Sequence, residues 1–144
     1  MWQSVSRASW RTTKQLVFER AKGCCEYCQT CEDNTGQPMH IEHIDPHGGD
    51  DLDNLCLSCS SCNLSKAVAT SAKDPETDTV VPLFNPRINH WYEHFEWSEN
   101  GLILLGKTPI GRATIERLKM NQERLIRARS NWIEAGNHPP PKPA

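Results

Sequence analysis

The sequence predicts an α+β fold built around a short β-hairpin and the helix that follows it. The segments "MHIEHI" and "LCLS" favour strands, and the turn-rich loop "DPHGGDDLDN" lies between them. After Cys62, "NLSKAVATSA" favours a short helix. Pairs of cysteines two residues apart stand at both ends of this unit.

Further elements are predicted on both sides of this unit. Residues 9–22 favour a helix that buries Leu16, Val17 and Ala21 and stops at Gly23. The later part of the chain is predicted to contain, in order, a Pro- and Asp-rich connection at 71–87, a hairpin of 90–97 and 102–105 closed by an Asn-Gly turn, helices at 108–120 and 121–136, and a tail.

The length of 144 residues is that of one ordinary domain. We expect a single domain over 1–136, with a core at about 14–72, an extension at about 73–136 and a disordered tail at 137–144. The first residues contain no signal-peptide run, and "LILL" is too short to cross a bilayer. The sequence therefore predicts a cytoplasmic protein with no membrane partner.

Charge is distributed unevenly along the chain. The balance is +4 over residues 1–22, −11 over 23–106 and +4 over 107–134. An acidic centre between basic ends suits a cation site flanked by arms that contact a polyanion. Two solvated helix faces are the alternative explanation of the same pattern.

The seven cysteines favour a metal site, because clustered cysteines in a reducing compartment bind metal more often than they form disulfides. Two knuckles of this spacing predict a closed, structural zinc site with four thiolates, formed by Cys25, Cys28, Cys59 and Cys62. Which two pairs bind the zinc is ambiguous, because Cys28 with Cys31 and Cys56 with Cys59 have the same spacing. In the preferred pairing Cys24, Cys31 and Cys56 are spare.

Four thiolates saturate a zinc ion, so the histidines and the glutamate of "HIEH" require a second site. Here the sequence resembles a known family. "CEYC", "HIEHIDPHGGDDLDNL" and "CSSCNLSK" resemble the HNH endonucleases, or ββα-metal nucleases, in a bacterial branch with a four-cysteine structural zinc. The motif covers 25–66, and similarity to the extension of that branch widens it to about 14–134.

The resemblance implies specific roles. His43 matches the general base that activates water, and Asn54 matches the asparagine that pins the loop and orients this base. Glu42 and Asn63 match the protein ligands of one catalytic divalent cation. Lys66 matches a basic position that pairs with a phosphate or with an acidic neighbour.

The chemistry agrees with these roles. A neutral imidazole can accept a proton from water near neutral pH, and an oxygen-rich ligand set favours Mg²⁺ or Mn²⁺. Neighbouring strand residues point to opposite faces, so either the strand ends or bulges at Glu42 and His43, or the ligand is His40.

Together these features predict a metal-dependent DNA endonuclease acting on phosphodiester bonds. Its partner is DNA, expected to be double-stranded, and a homodimer is one route to double-strand cleavage. A non-catalytic zinc module that binds nucleic acid or protein is the alternative. The residues expected to contact nucleic acid are Lys66, Arg112, Arg124, Arg127 and Arg129.

Overall fold

The computed structural model describes the backbone of residues 7–143 and the side chains of residues 9–143. Its elements are α1 (Arg7–Arg20), α2 (Glu32–Thr35), β1 (His40–His43), a 3₁₀ turn (Leu52–Asn54), β2 (Leu55–Ser58), α3 (Ser60–Lys66), β3 (Ser71–Lys73), β4 (Val80–Pro82), α4 (Trp91–His94), β5 (Phe95–Trp97), β6 (Leu104–Gly106), α5 (Pro109–Leu118) and α6 (Glu123–Glu134). The strands form three separate antiparallel pairs. The predicted α+β class is confirmed.

The central unit consists of β1, β2 and α3. The two strands pair in register from His40 opposite Ser58 to His43 opposite Leu55, so β1 ends at His43. Helix α3 begins at Ser60, earlier than predicted, because the Cys59 thiol accepts a hydrogen bond from the Cys62 amide and caps the first turn. The cysteine that ends β2 therefore also starts the helix.

Helix α1 covers one face of this hairpin. Val17 is fully buried against Leu55 and Leu57. The prediction that Leu16 faces inward is wrong, since 46% of this residue is exposed. Phe18 packs against the cluster instead.

The extension packs against the knuckles through a second core that includes Phe84, Phe95, Leu104 and Leu118. Residues 71–87, predicted as a connection, contain the β3–β4 hairpin. Its turn is held by Asp74, which is fully buried and accepts hydrogen bonds from Thr77 and Arg112. These local bonds explain why a Pro- and Asp-rich stretch forms an ordered hairpin.

The predicted hairpin of 90–97 and 102–105 is shorter than expected. Strands β5 and β6 pair from Phe95 opposite Gly106 to Trp97 opposite Leu104, and the preceding residues form α4. In the turn, the Asn100 side chain accepts a hydrogen bond from the amide of Leu102.

The structure corrects two further predictions, one about the tail and one about two of the spare cysteines. The described part of the tail, 137–143, is not a free chain, because His138 is only 7% exposed, packs edge-on against Trp97 and bonds the carbonyl of Gly101. Cys24 and Cys31 are not idle thiols but form a disulfide across the first knuckle.

Over residues 7–143, no helix combines the length and the apolar character needed to cross a bilayer.

Candidate active site

The structure brings together the four predicted zinc-binding cysteines. The thiols of Cys25, Cys28, Cys59 and Cys62 lie within 4.8 Å of one another, and all four residues are buried. The sulfurs of Cys28 and Cys59 are 3.6 Å apart. A tetrahedral ZnS₄ site with Zn–S bonds of about 2.3 Å has sulfur–sulfur edges of about 3.8 Å. The cysteine cluster therefore fits a zinc site, in the pairing preferred from the sequence.

Burial and mutual hydrogen bonding shift the pKa values of the clustered thiols. Removal from water raises the pKa of the Cys25 thiol, while hydrogen bonds from Cys25 and the other thiols lower the pKa of Cys28. A bound zinc ion would stabilise all four sulfurs as thiolates.

The first knuckle is fixed to strand β2 by Glu26. Its amide donates to the carbonyl of Leu57 over 2.9 Å, and its carboxylate accepts the amide of Leu57 over 2.8 Å. Arg87 of the extension forms an ion pair with the same carboxylate. The cysteines of the knuckle are thereby placed over the end of the hairpin where α3 starts.

The opposite end of the hairpin is open. Glu42, His43 and Asn63 line one cavity of about 340 Å³, together with Asp50. We call this the His43 cavity. The end of β1 supplies the first two residues and α3 supplies Asn63. Three residues that the sequence assigns to one catalytic site thus border the same space.

Asn54 holds the loop beside this cavity. Its side-chain oxygen accepts the amide of Asp45 over 3.0 Å, and its side-chain nitrogen donates to the carbonyls of Asp45 and Gly49 over 2.9 Å. A side chain on Gly48 would place its Cβ 2.7 Å from the Asn54 amide nitrogen. The second glycine, Gly49, adopts a φ of +85° that other residues rarely adopt. The "HGGD" loop therefore closes around Asn54.

The His43 imidazole is positioned by a residue that sequence reasoning missed. His43 Nε2 lies 2.6 Å from Asp50 Oδ1, and both side chains are partly exposed. A carboxylate can only accept, so Nε2 carries the hydrogen, and in the neutral imidazole the lone pair is then on Nδ1. Asp50 lies in the acidic run "GGDDLDN", which gives no signal that separates it from ordinary solvated loop carboxylates.

The other two histidines of this region lie elsewhere. His40 Nε2 is 3.0 Å from the Ser60 hydroxyl, and His40 does not line the His43 cavity. His47 is exposed in the loop, where its amide donates to Asp45. Strand β1 stays regularly paired with β2 through His43, and Glu42 and His43 both line the cavity, so whether Glu42 or His40 is the metal ligand stays a prediction.

Glu42 lies in a buried network beneath the cavity. It is only 5% exposed, and its Oε2 accepts hydrogen bonds from the Tyr27 hydroxyl over 2.7 Å and the Cys56 thiol over 3.2 Å. Lys66 Nζ lies 2.7 Å from Oε1. Burial raises the pKa of both Tyr27 and Cys56, so both remain protonated donors near neutral pH. The sequence indicated neither of these donors.

Comparison with known proteins adds to this geometry. Residues 25–68 match the family model described as HNH endonuclease. This segment is therefore similar to an HNH domain. The predicted resemblance is confirmed for the segment that contains both the cysteine cluster and the His43 cavity. The HNH domain supports a nuclease-type function in general terms.

The chain is also similar to the Septu protein PtuB of Bacillus thuringiensis. The two are 28% identical over an alignment of 121 positions, which covers 78% of this chain and 43% of that protein. The chain thus spans less than half the length of this curated relative. No solved structure matches the chain significantly.

Outside the His43 cavity, the structure corrects two of the predicted nucleic-acid contacts. Lys66 is 1% exposed, pairs with Glu42 and donates to the carbonyl of Ile44. Arg129 is fully buried and donates to the carbonyls of Leu102 and Met120. Neither side chain can reach a nucleic acid, because each is enclosed by protein groups that use its charge.

The three other residues predicted to contact nucleic acid differ in whether their charge is exposed and free of ion pairs. Arg112 is held by Asp74 and Glu76, and its hydrogen bonds to Asp74 hold the pKa of that carboxyl well below its usual range. Arg127 is exposed but pairs with Glu123 one helical turn away. Arg124 is exposed. Of the five, Arg124 is the one whose charge is both exposed and outside any ion pair among the described residues.

Proposed function

We propose that this chain is a metal-dependent endonuclease that hydrolyses phosphodiester bonds of DNA, with double-stranded DNA as its substrate. The observation that carries the proposal is the shared cavity. His43, Glu42 and Asn63 border one open space, at the end of the hairpin opposite the buried cysteine cluster. A zinc module that only binds would not require this second set of residues.

The donors around the cavity suit a hard divalent cation. Glu42, Asp50 and Asn63 offer carboxylate and amide oxygens, which Mg²⁺ and Mn²⁺ prefer. We expect Glu42 and Asn63 to hold the ion. When bound, a cation of this kind polarises the phosphate and stabilises the departing oxygen.

Glu42 can bind the cation only through a lone pair that its other contacts leave free. An ionised carboxylate has about four acceptor positions. Tyr27 and Cys56 use two of them, both on Oε2. Oε1 forms an ion pair with Lys66 but accepts no hydrogen bond from the described residues. These contacts fix the orientation of the carboxylate, so the direction of its remaining acceptor positions is defined.

His43 supplies the base in this proposal. Its Nδ1 lone pair is available because Asp50 accepts the hydrogen on Nε2. A water molecule beside Nδ1 gives its proton to the imidazole as its oxygen attacks the phosphorus. The phosphorus–oxygen bond on the far side then breaks, leaving a 5′-phosphate and a 3′-hydroxyl that takes up a proton from solvent. Asn54 holds the loop that carries Asp50 and so preserves this orientation.

One cavity of this kind cuts one strand at a time. We therefore expect a single chain to nick duplex DNA, and we expect a double-strand break to need two chains or two successive events.

Plasmid nicking tests the proposal. Supercoiled DNA incubated with the protein and Mg²⁺ or Mn²⁺ should become the nicked circle, and mild chelation should stop the reaction while zinc stays bound. Adding back Mg²⁺ or Mn²⁺ should restore cleavage. Binding without cleavage in every metal would favour the non-catalytic zinc module, and cleavage of RNA alone would move the substrate to RNA.

The metal ligands are tested by titration. Replacing Glu42 or Asn63 with Ala should raise the Mg²⁺ concentration needed for half-maximal cleavage, since each change removes one oxygen ligand. His40→Ala is the matched control, because His40 lies outside the cavity. A larger shift for His40→Ala than for Glu42→Ala would transfer the ligand role to His40.

A further inference from the structure

Helix α3 separates two different open spaces. Asn63 and Ala67 face the His43 cavity. On another side of the same helix, Ser61 and Ser65 face a cleft of about 520 Å³ that α5 and α6 close from the far side. We call this the basic cleft, and its other polar lining residues include Arg117, Lys119 and Arg124.

The cations of the basic cleft form no ion pair that would compete with an anion, although Arg117 donates a hydrogen bond to the carbonyl of Lys66 over 3.4 Å. Arg117, Lys119 and Arg124 are exposed, and none forms an ion pair with another described residue. Glu116 is the single acidic residue among those lining the cleft. Three like charges at one cleft repel one another, and a bound polyanion relieves that repulsion.

The serines add neutral donors to this charge. The Ser61 hydroxyl oxygen accepts a hydrogen bond from Gln122 over 2.7 Å, which leaves the hydroxyl hydrogen of Ser61 available. Serine hydroxyls together with arginine and lysine are the usual partners of nucleic-acid phosphates. The chemistry of the cleft therefore matches a phosphodiester backbone rather than a compact apolar ligand.

The helix between the two spaces has the right width for a duplex. An α-helix with its side chains is about 10–12 Å across, and the grooves of B-DNA are about 6–12 Å wide. The outer ridge of α3 and the residues after it is apolar, since Leu64 is 80% exposed and Val68 is 74% exposed. Such a ridge can contact sugars and base edges while the flanking spaces receive phosphates.

We propose that the basic cleft binds the backbone of the second strand of a DNA duplex whose first strand lies in the His43 cavity. This inference rests on the proposed nuclease function and deepens it, because it names the residues that would hold the second strand of the duplex. These contacts differ from the nucleic-acid contacts predicted from the sequence. Arg124 is retained, Arg117 and Lys119 are added, and the buried Arg129 and Lys66 are excluded.

The test neutralises the cleft without touching the His43 cavity. The cleft variant carries Arg117→Gln, Lys119→Gln and Arg124→Gln. The control variant carries Lys22→Gln, Lys73→Gln and Lys107→Gln, which remove the same charge from exposed positions outside both spaces. Dissociation constants for a labelled duplex and for one of its single strands are measured at several salt concentrations, with no divalent cation added. Zinc content and the melting curve are recorded for each protein.

The expected result is a change confined to the cleft variant and to the duplex. Each lost phosphate contact lowers the slope of log affinity against log salt by about 0.9, so three contacts lower it by about 2.7. The dissociation constant of the duplex at low salt should rise at least about tenfold, and that of the single strand should change much less.

Other outcomes overturn the inference. Equal slopes for the cleft and control variants would show that the cleft does not contact DNA. If the cleft variant binds the duplex and the single strand with equally reduced affinity, a single strand occupies both the His43 cavity and the basic cleft. Nicking by the wild-type protein distinguishes failure of this inference from failure of the proposed function. If the protein nicks DNA but the cleft variant binds duplex normally, only this inference is overturned. If the protein cleaves no nucleic acid, the proposed function is overturned.

Discussion

The cysteine cluster and the His43 cavity occupy the two ends of one small unit, yet they differ in nearly every physical respect. All four cysteines are buried and face one another. His43 and Asp50 are instead partly exposed at the edge of an open space. Both sets are attached to the same two strands and one helix.

A short motif can combine a scaffold with a reactive site when the two are kept at opposite ends. A saturated, buried metal site contributes to folding and has no position for a substrate, while an open site must leave its donors accessible. The buried pair of Glu42 and Lys66 connects the two regions, because Tyr27 of the first knuckle and Cys56 of β2 both donate to Glu42. Substitutions at the two ends should therefore have separable effects.

Removing a ligand from the cysteine cluster should give the largest effect. We expect Cys59→Ser to abolish zinc binding and to unfold the domain, because structural zinc sites contribute about 10–16 kcal/mol in small zinc-binding peptides. Elemental analysis and circular dichroism measure the two effects. Cys31→Ser is the control and should keep its zinc, since Cys31 lies outside the cluster. A folded, zinc-free wild-type protein would contradict this account.

The next largest effect is expected at the His43 cavity and should leave the fold intact. His43→Ala should lower the nicking rate by a factor of about 10²–10⁴, the usual contribution of a general base. Its melting temperature and zinc content should match the wild type, because the side chain is partly exposed. His47→Ala, which removes an exposed histidine from the loop that follows β1, should cut normally. If it fails and His43→Ala cuts, the base has been assigned to the wrong histidine.

The connecting ion pair should affect stability at both ends. Lys66→Met leaves the Glu42 carboxylate buried without its cation, and breaking a buried pair costs about 3–5 kcal/mol. Adding Glu42→Gln should recover part of this loss. Chemical denaturation of the single and double variants measures it.

Arg127→Met is the matched control for this pair. It breaks an exposed pair with Glu123 on one helix, and such pairs contribute about 0.3–0.5 kcal/mol. Equal losses for Lys66→Met and Arg127→Met would show that the buried network does not hold the two regions together.

The smallest effect is expected from Asp50→Asn. The pair with His43 is partly exposed, so it should contribute less than about 1 kcal/mol, or about a fivefold change in rate. The loss should appear in kcat and not in KM, because Asp50 orients the base in this proposal. Asp51→Asn, the neighbouring exposed carboxylate, should leave both constants unchanged. A change in KM alone would assign Asp50 to substrate binding.

Much of the central unit could be predicted from the sequence because it depends on local spacing. Two knuckles, two short strands and a polar loop determine a hairpin followed by a helix, and the structure confirms this order. The choice among seven cysteines was not determined by spacing, since two alternations were equivalent. The start of α3 was misplaced because a thiol cap at Cys59 is not a residue pattern that signals a helix start.

The neighbours of the site could not be predicted, because they come from distant parts of the chain. Tyr27 and Cys56 converge on Glu42 only after the knuckle has packed on β2. Lys66 and Glu42 are 24 positions apart in sequence, and their pairing needs α3 to lie across the hairpin. No local pattern records such contacts.

The basic residues of α6 show the limit most clearly. Helix periodicity places Arg124 and Arg129 on one helix, about 140° apart around its axis. It does not say which of them faces inward. The packing of distant segments does, because the carbonyls of Leu102 and Met120 accept hydrogen bonds from the Arg129 guanidinium and compensate its burial. Arg124 has no such acceptors among the described residues, so its charge stays in solvent and remains available to a polyanion.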